Sequence, residues 1–228
     1  MKNSICGGIL ILAVALAQQI VSAQGTMTFL SNLDQASAGS LAVGSDSWLA
    51  FGFRAGSNAS GYSLNSVQLT MTDASGNPSG FTVFLYSAAL FPGAGIVWAP
   101  GGKIGTINNS LSPTTGGIYT FTAVSNLTLA PNGNYFIVLT SGTGVGDGAY
   151  ELSYTGATND ILSNGWVGYG GVWTSTNGAL HLPPFGLTYD NLSQFALNAT
   201  TIPEPGVLGL LGFGGLALLW HRRKAKAV

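Results

Sequence analysis

Charged residues are scarce in this 228-residue chain, where they make up 7% of the sequence, against about 25% in a typical soluble domain. Cysteine is scarcer still, because Cys6 is the only one. It lies near the N-terminus, so a chain that loses this end has no thiol. The remainder then offers no disulfide, cysteine nucleophile or thiolate metal ligand, and its fold must rely on a hydrophobic core.

Basic residues are nearly absent between the two ends. Residues 24–202 contain two, Arg54 and Lys103, against seven acidic residues, which gives this part a net charge of −5. So few cations cannot neutralise the phosphates of a nucleic acid, and the sequence predicts no nucleic-acid partner. The seven acidic residues are Asp34, Asp46, Asp73, Asp147, Glu151, Asp160 and Asp190.

The N-terminus has the pattern of a secretory signal peptide. Lys2 is followed by a nearly unbroken apolar run at residues 5–17, and small residues come shortly after it. We therefore predict a signal peptide over residues 1–23 that is cleaved between Ala23 and Gln24. The alternative is a retained membrane anchor, for which the apolar run is short.

The C-terminus has three consecutive parts: Pro203-Glu204-Pro205, an uncharged apolar stretch at 206–220 and a basic tail at 221–228. A helix of about 15 residues covers about 22 Å of a ~30 Å hydrocarbon core, so the predicted transmembrane helix is only marginally long. The positive-inside rule keeps the tail in the cytoplasm and places residues 24–201 outside it. The cations that set this topology are Arg222, Arg223, Lys224 and Lys226.

This order of parts within residues 202–228 resembles the PEP-CTERM sorting signal. The resemblance implies a Gram-negative bacterium that makes exopolysaccharide. It also implies export by the secretion machinery, transient anchoring in the inner membrane and processing by a membrane exosortase. The protein would then reach the cell surface or the extracellular space. Pro203, Glu204 and Pro205 would be substrate determinants of the exosortase and not catalysts. The alternative is an ordinary single-span anchor that follows a proline linker.

The domain at 24–201 shows alternating apolar residues and turn signals in place of long helical periodicity. We predict an all-β fold, an antiparallel, jelly-roll-like β-sandwich flanked by the signal helix and the C-terminal transmembrane helix. Segments 66–72 and 81–87 are predicted to pair as a hairpin. The Gly-rich regions 88–117 and 156–184 are predicted to be long loops.

The strand series also resembles the choice-of-anchor domains, most closely their type R group. That resemblance implies a β-sandwich displayed outside the cell, and it carries no catalytic residues. The residues that match are Phe51-Gly52-Phe53, Ser66-Val67-Gln68-Leu69, Phe81-Thr82-Val83-Phe84-Leu85-Tyr86, Leu127-Thr128-Leu129-Ala130-Pro131 and Tyr135-Phe136-Ile137-Val138-Leu139.

Catalytic machinery is not recognisable in the sequence. A Ser-His-Asp triad needs a histidine, and residues 24–202 contain only His181, in an apolar context. Asp147, Glu151 and Asp160 form the nearest acidic cluster, which leaves glycoside hydrolysis open. Together with Asn159 these carboxylates could also bind Ca²⁺, although we assign no coordinating residues. We therefore predict no catalytic residues, no metal ligands and no cofactor.

Aromatic side chains are concentrated in a Gly-rich segment at 164–173. Trp166, Tyr169 and Trp173 could stack on sugar rings, or they could pack on the edge of the core. Our leading hypothesis is a non-enzymatic surface or matrix protein, structural or adhesive in an exopolysaccharide biofilm. The second hypothesis is a carbohydrate-binding module that uses this segment, and the third is a secreted polysaccharide-active enzyme.

Overall fold

The computed structural model describes residues 25–90, 97–107, 110–156, 161–162, 165–169, 172–176 and 192–204. The described strands belong to one compact unit, Thr26–Ile202. Within the described ranges no helix is long and apolar enough to cross a membrane. The predicted signal peptide and the predicted helix at 206–220 both lie outside the described residues.

The described part of the chain consists of strands joined by turns. Its elements are β1 (Met27–Ser31), β2 (Gly39–Val43), β3 (Trp48–Arg54), β4 (Tyr62–Gly76), β5 (Thr82–Leu90), β6 (Trp98–Ile107), β7 (Gly117–Leu129), β8 (Asn134–Thr140), β9 (Gly148–Thr155), β10 (Ile161–Leu162), β11 (Val167–Gly168), β12 (Trp173–Ser175), β13 (Leu192–Ser193) and β14 (Phe195–Thr201).

The strands form two antiparallel sheets. In sheet 1 the long strand β4 is central, with β7 along one side and β14 and then β9 along the other. The strands β1 and β2 pair outside β14 and β9, respectively. Sheet 2 has the order β6-β5-β8-β3, with β11 and β12 on the free side of β3. The two sheets are joined where Ile107 of β6 pairs with Ala123 of β7.

The main core lies between the two sheets. The period of two in a strand places Phe81, Val83 and Leu85 on one side of the chain, and all three are buried in this core. Val67 and Leu69 of sheet 1 are buried in the same core and are not exposed at all. Each such side chain contributes about 1.5–3 kcal/mol by leaving water. The predicted all-β antiparallel sandwich is confirmed.

A buried tryptophan joins the two sheets. Trp166 precedes β11 and its side chain is not exposed at all. Its indole stacks on Phe29 of β1, with ring centroids 5.1 Å apart, and on Phe53 of β3 at 5.7 Å. It also meets the ring of Tyr62 in β4 edge to face, at 5.0 Å. Three strands from both sheets therefore share one aromatic contact.

The predicted hairpin of residues 66–72 with 81–87 is wrong. The first segment lies in β4 of sheet 1, and the second lies in β5 of sheet 2, where it pairs with β6 and β8. The Gly- and Pro-containing segment between them carries the chain from one sheet to the other. Turn residues indicate that a chain reverses, but they do not indicate which sheet receives the next strand.

The two predicted long loops are also partly wrong. Strand β6 occupies 98–107 within the first, and β10, β11 and β12 lie within the second. Strand β6 contains Pro100 and three glycines, a composition typical of turns. It meets β7 at a single pair of residues, so it is close to an edge strand, and edge strands tolerate proline and glycine.

The central position of Trp166 predicts a large loss of stability on truncation. Trp166→Ala should lower the free energy of unfolding by about 3–5 kcal/mol, because it empties the space between three strands. Trp166→Phe should lower it less, because the indole N–H has no hydrogen-bond partner to lose. Urea unfolding followed by circular dichroism measures both changes.

The matched surface control is Val124→Ala on β7, where the valine side chain is 67% exposed. Its free energy of unfolding should stay within about 0.5 kcal/mol of the wild type. Equal stability of Trp166→Ala and this control would contradict the assignment of Trp166 to the core.

Candidate functional site

The last hydrogen bonds of the sandwich are made next to the predicted sorting motif. After β14 ends at Thr201, the amide of Ile202 donates to Gly61 O at 3.0 Å. The side-chain Nδ2 of Asn58 donates to Ile202 O at 3.0 Å and to Gly61 O at 2.6 Å. Asn58 therefore fixes the point at which the chain leaves the sandwich.

Gly61 makes this arrangement possible. Its amide donates to Asn58 O at 2.8 Å, which closes a tight turn before β4. Its φ of +79° lies in the left-handed region that side chains other than glycine rarely adopt. A Cβ at this position would also collide with Leu129 O. The exit of β14 is thus held by one asparagine on a turn that requires glycine at position 61.

Pro203 and Glu204 follow directly and are exposed. The predicted motif therefore begins one residue after the final hydrogen bonds of β14. Pro205 lies outside the described residues. So do the cleavage position Ala23–Gln24 and the cations that set the topology, Arg222, Arg223, Lys224 and Lys226.

The aromatic segment at 164–173 divides between the core and the surface. Trp166 is fully buried and Trp173 is 6% exposed, so neither ring has a face free for a sugar. Of the two alternatives in the sequence, packing accounts for both tryptophans. The composition of the segment did not distinguish the two alternatives, because a Gly-rich aromatic sequence is compatible with packing on a core and with exposure to water.

Tyr169 is the half-buried member of this segment. Its amide donates to Gly52 O at 2.8 Å, and its ring lies so close to Gly52 that a Cβ there would come within 2.8 Å of it. Its hydroxyl donates to Asn134 Oδ1. Burial raises the pKa of the Tyr169 hydroxyl, and the positive charge of Arg54 opposes that rise.

Trp173 is part of a second apolar cluster, on the outer face of sheet 2, and the Tyr169 ring lies beside it at Gly52. We call this surface the aromatic face. Ala50, Phe136 and Val138 are buried at its base, and Trp48, Phe84 and Tyr86 are packed on them and half-buried. The rings of Trp48 and Phe84 are 6.3 Å apart and inclined by 28°. The face comprises this cluster and the neighbouring Tyr169: Trp48, Ala50, Phe84, Tyr86, Ala88, Val97, Trp98, Ala99, Phe136, Val138, Tyr169 and Trp173.

The outer face of sheet 1 is polar by contrast. Hydroxyl and amide side chains make up much of it, beside the exposed Ile118 and Val124 of β7, and they bond to one another across strands. Asn198 accepts a hydrogen bond from Thr28 Oγ1 at 2.6 Å and donates to Ser66 Oγ at 3.1 Å. Gln68 Nε2 donates to Thr120 Oγ1 at 3.3 Å. Only one of the two outer faces therefore has the polar covering expected of a solvated antiparallel sheet.

A signal for the aromatic face was present in the sequence. Segments 48–53, 81–86 and 135–139 are apolar almost without interruption, whereas strands of sheet 1 alternate with Thr, Ser and Gln. An uninterrupted apolar strand is buried on both faces. These three segments become neighbours only in the folded sheet, in the order β5-β8-β3, and the sequence does not specify that order.

The acidic residues lie elsewhere. Asp147 is exposed in the turn before β9, and Glu151 is half-buried on β9 in sheet 1. Among the residues that the structure describes, no three His, Cys, Asp or Glu side chains come close enough to hold a metal ion. Asn159, Asp160 and His181 lie outside that part of the chain. The expectations about catalysis and Ca²⁺ stay predictions.

Comparison with known families identifies the C-terminal segment. The family described as PEP-CTERM protein-sorting motif matches residues 201–224. The chain carries a PEP-CTERM sorting motif. This motif indicates an exported protein that is anchored in the membrane before an exosortase processes it. No curated protein matches the chain. The PEP-CTERM match lies outside the strands that resemble a choice-of-anchor domain, so that resemblance stays a prediction.

The role of Asn58 at the exit of β14 is testable. Asn58→Ala removes two hydrogen-bond donors and should lower the free energy of unfolding by about 1–2 kcal/mol. It should also speed hydrogen exchange at the amide of Ile202, because Gly61 is no longer held beside it. Asn126→Ala is the control, since Asn126 accepts from Ser63 on the exposed surface of sheet 1. Unchanged exchange at Ile202 in Asn58→Ala would refute the role.

Proposed function

We propose that this protein is a non-enzymatic component of the cell surface or extracellular matrix of a Gram-negative bacterium, structural or adhesive within an exopolysaccharide biofilm. The observation that carries the proposal is the PEP-CTERM motif, whose Pro203 and Glu204 are exposed at the end of a folded β-sandwich. The tail directs export and processing, and the sandwich is the part that acts after export.

The composition of the domain is compatible with folding and function outside the cytoplasm. Residues 24–202 contain no cysteine, so the fold does not depend on the redox state of its surroundings. Sheet-on-sheet packing supplies the stability instead. Such a domain can fold after export without an oxidant or a metal, and we propose that it works without a cofactor.

A non-enzymatic role is supported by the chemistry that the sequence offers. The only histidine between residues 24 and 202 is His181, and the mature chain has no thiol nucleophile. Asp147 and Glu151 belong to a turn and to sheet 1, away from the aromatic face. A polysaccharide-active enzyme would need a catalytic pair among these few acidic residues, and hydrolysis that a single carboxylate substitution abolishes would favour it.

Carbohydrate binding is the second candidate function. The half-buried rings of Trp48, Phe84 and Tyr86 favour it, since a rigid aromatic surface on a sheet can take up the apolar face of a sugar. The surface that supports this candidate is the aromatic face, in place of the segment around Trp166. The two candidate functions are compatible, because a protein that binds a polysaccharide through this face would also act as an adhesive protein in a biofilm.

Sorting is tested by replacing Pro203-Glu204-Pro205 with three alanines. Full-length protein should accumulate in the inner membrane, because the processing enzyme loses its recognition sequence while the predicted helix and basic tail remain. Fractionation of native cells with immunoblotting measures the outcome. The control is Val124→Ala with Ser125→Ala, two exposed positions on β7, which should be processed normally. Normal processing and export of the triple-alanine variant would overturn the proposal.

A further inference from the structure

We propose that the aromatic face of sheet 2 binds an anionic polysaccharide, a glycan that carries uronic-acid carboxylates. Trp48 and Tyr86 provide the stacking surface, and Arg54 and Lys103 contact the carboxylates. The inference rests on the proposed function for its setting outside the cell, and it names the chemical class of the glycan and the residues that recognise it.

The aromatic rings form a fixed surface. Trp48 Nε1 donates to Ser45 O at 3.0 Å, which holds the indole in one orientation. Beneath it Ala50, Phe136 and Val138 are buried and leave no space for the rings to collapse into. Half-buried aromatic rings clustered on one sheet face are a feature of binding sites. Because the rings are already ordered, binding a sugar costs little side-chain entropy.

Both cations of residues 24–202 belong to this face. Lys103 of β6 pairs with Tyr86 of β5, and its Nζ lies 3.8 Å from the ring centroid of Phe84. Phe84 thus positions the ammonium group on the face. Arg54 ends β3 on the same side as Ala50 and Gly52, because side chains alternate along a strand. Both charged side chains are exposed.

The two cations lie on the first and the last of four neighbouring strands, and a row of residues across these strands gives their separation. Register partners on four neighbouring strands form this row: Lys103, Tyr86, Phe136 and Gly52. Strands are about 4.8 Å apart, so the row spans about 14 Å. Arg54 lies two residues beyond Gly52 on β3, next to Tyr169. An aromatic strip with a cation at each end suits an extended chain that has both apolar sugar faces and spaced carboxylates.

The four main strands of the aromatic face, β3, β5, β6 and β8, contain no acidic residue. Asp46 lies in the turn before β3, where its Oδ1 accepts a hydrogen bond from Val145 N at 2.8 Å. Asp73 and Glu151 belong to sheet 1, and Asp34 and Asp147 belong to turns. A domain with a net charge of −5 therefore has both of its cations on this face, and Asp46 lies in the turn two residues before Trp48; this distribution of charge favours an anionic partner.

Two rival partners fit this surface less well. A nucleic acid requires many more than two cations to neutralise its phosphates. A second copy of the chain, docked face to face about a two-fold axis, would bring Arg54 and Lys103 close to the same residues of its mate, and like charges at an interface are unfavourable. A polysaccharide with spaced carboxylates meets both the rings and the charges.

The test uses the full chain, purified in detergent, with two matched polysaccharides. Polygalacturonate carries a carboxylate on each sugar, and its fully methyl-esterified form has the same backbone without the charge. Isothermal titration calorimetry should detect binding of polygalacturonate that weakens with added salt. Binding of the esterified form should be weaker by about tenfold or more, because the two cations lose their partners.

Two variants assign the binding to the aromatic face. Arg54→Gln with Lys103→Gln should weaken polygalacturonate binding about tenfold. Both residues are exposed, so the substitutions should leave the fold intact. Trp48→Ala should weaken binding to both polysaccharides, because it removes stacking surface. Glu151→Gln on sheet 1 is the control for a change of charge, and its affinity should match the wild type.

Several results would overturn the inference. These are no binding of polygalacturonate, equal binding of the esterified form, or full affinity in the Arg54→Gln, Lys103→Gln variant. Concentration-dependent self-association that Trp48→Ala abolishes would assign the face to a second copy instead. Both variants should be sorted and processed like the wild type, because they leave the motif unchanged. Loss of binding with normal sorting refutes this inference and leaves the proposed sorting standing. Normal processing of the Pro203-Glu204-Pro205 triple-alanine variant refutes the proposed sorting, whatever the binding result.

Discussion

The contact between the two sheets is the constraint on which the rest of the structure depends. Outside the predicted signal peptide the chain has no cysteine, and it has few charges that could form ion pairs. Burial of apolar side chains between the sheets must therefore outweigh the conformational entropy of a Gly-rich chain. Trp166 is central to this contact, since its indole meets rings from β1, β3 and β4.

The sequence predicted those parts of the fold that local periodicity determines. The class, the antiparallel sandwich and the inward face of Phe81, Val83 and Leu85 follow from alternation along single strands. The partner of each strand does not follow from it. The wrong hairpin of β4 with β5 and the missed strand β6 both result from reading Gly- and Pro-containing segments as turns that end a pairing, although one of these segments changes sheet and the other lies in a strand.

The candidate sites also differ in whether local sequence or tertiary structure defines them. The PEP-CTERM motif is a linear signal, so the sequence alone was sufficient to find it. The aromatic face is assembled from strands far apart in the chain, and its cations Arg54 and Lys103 are 49 positions apart. Their shared face follows from sheet order and register. Conversely, the sequence left Trp166 open between sugar stacking and core packing, and only tertiary packing places it in the core.

The sorting motif indicates an exported protein, and the sandwich that precedes it has two unlike outer faces. One outer face is hydroxyl-rich and solvated, the other is aromatic with two cations, and the chain leaves the sandwich at Ile202, directly before the motif. The most direct test is mass spectrometry of the intact protein isolated from native cells. The account predicts a mature chain that lacks residues 1–23 and the apolar stretch 206–220. A full-length chain in the cytosol with both ends present would contradict it.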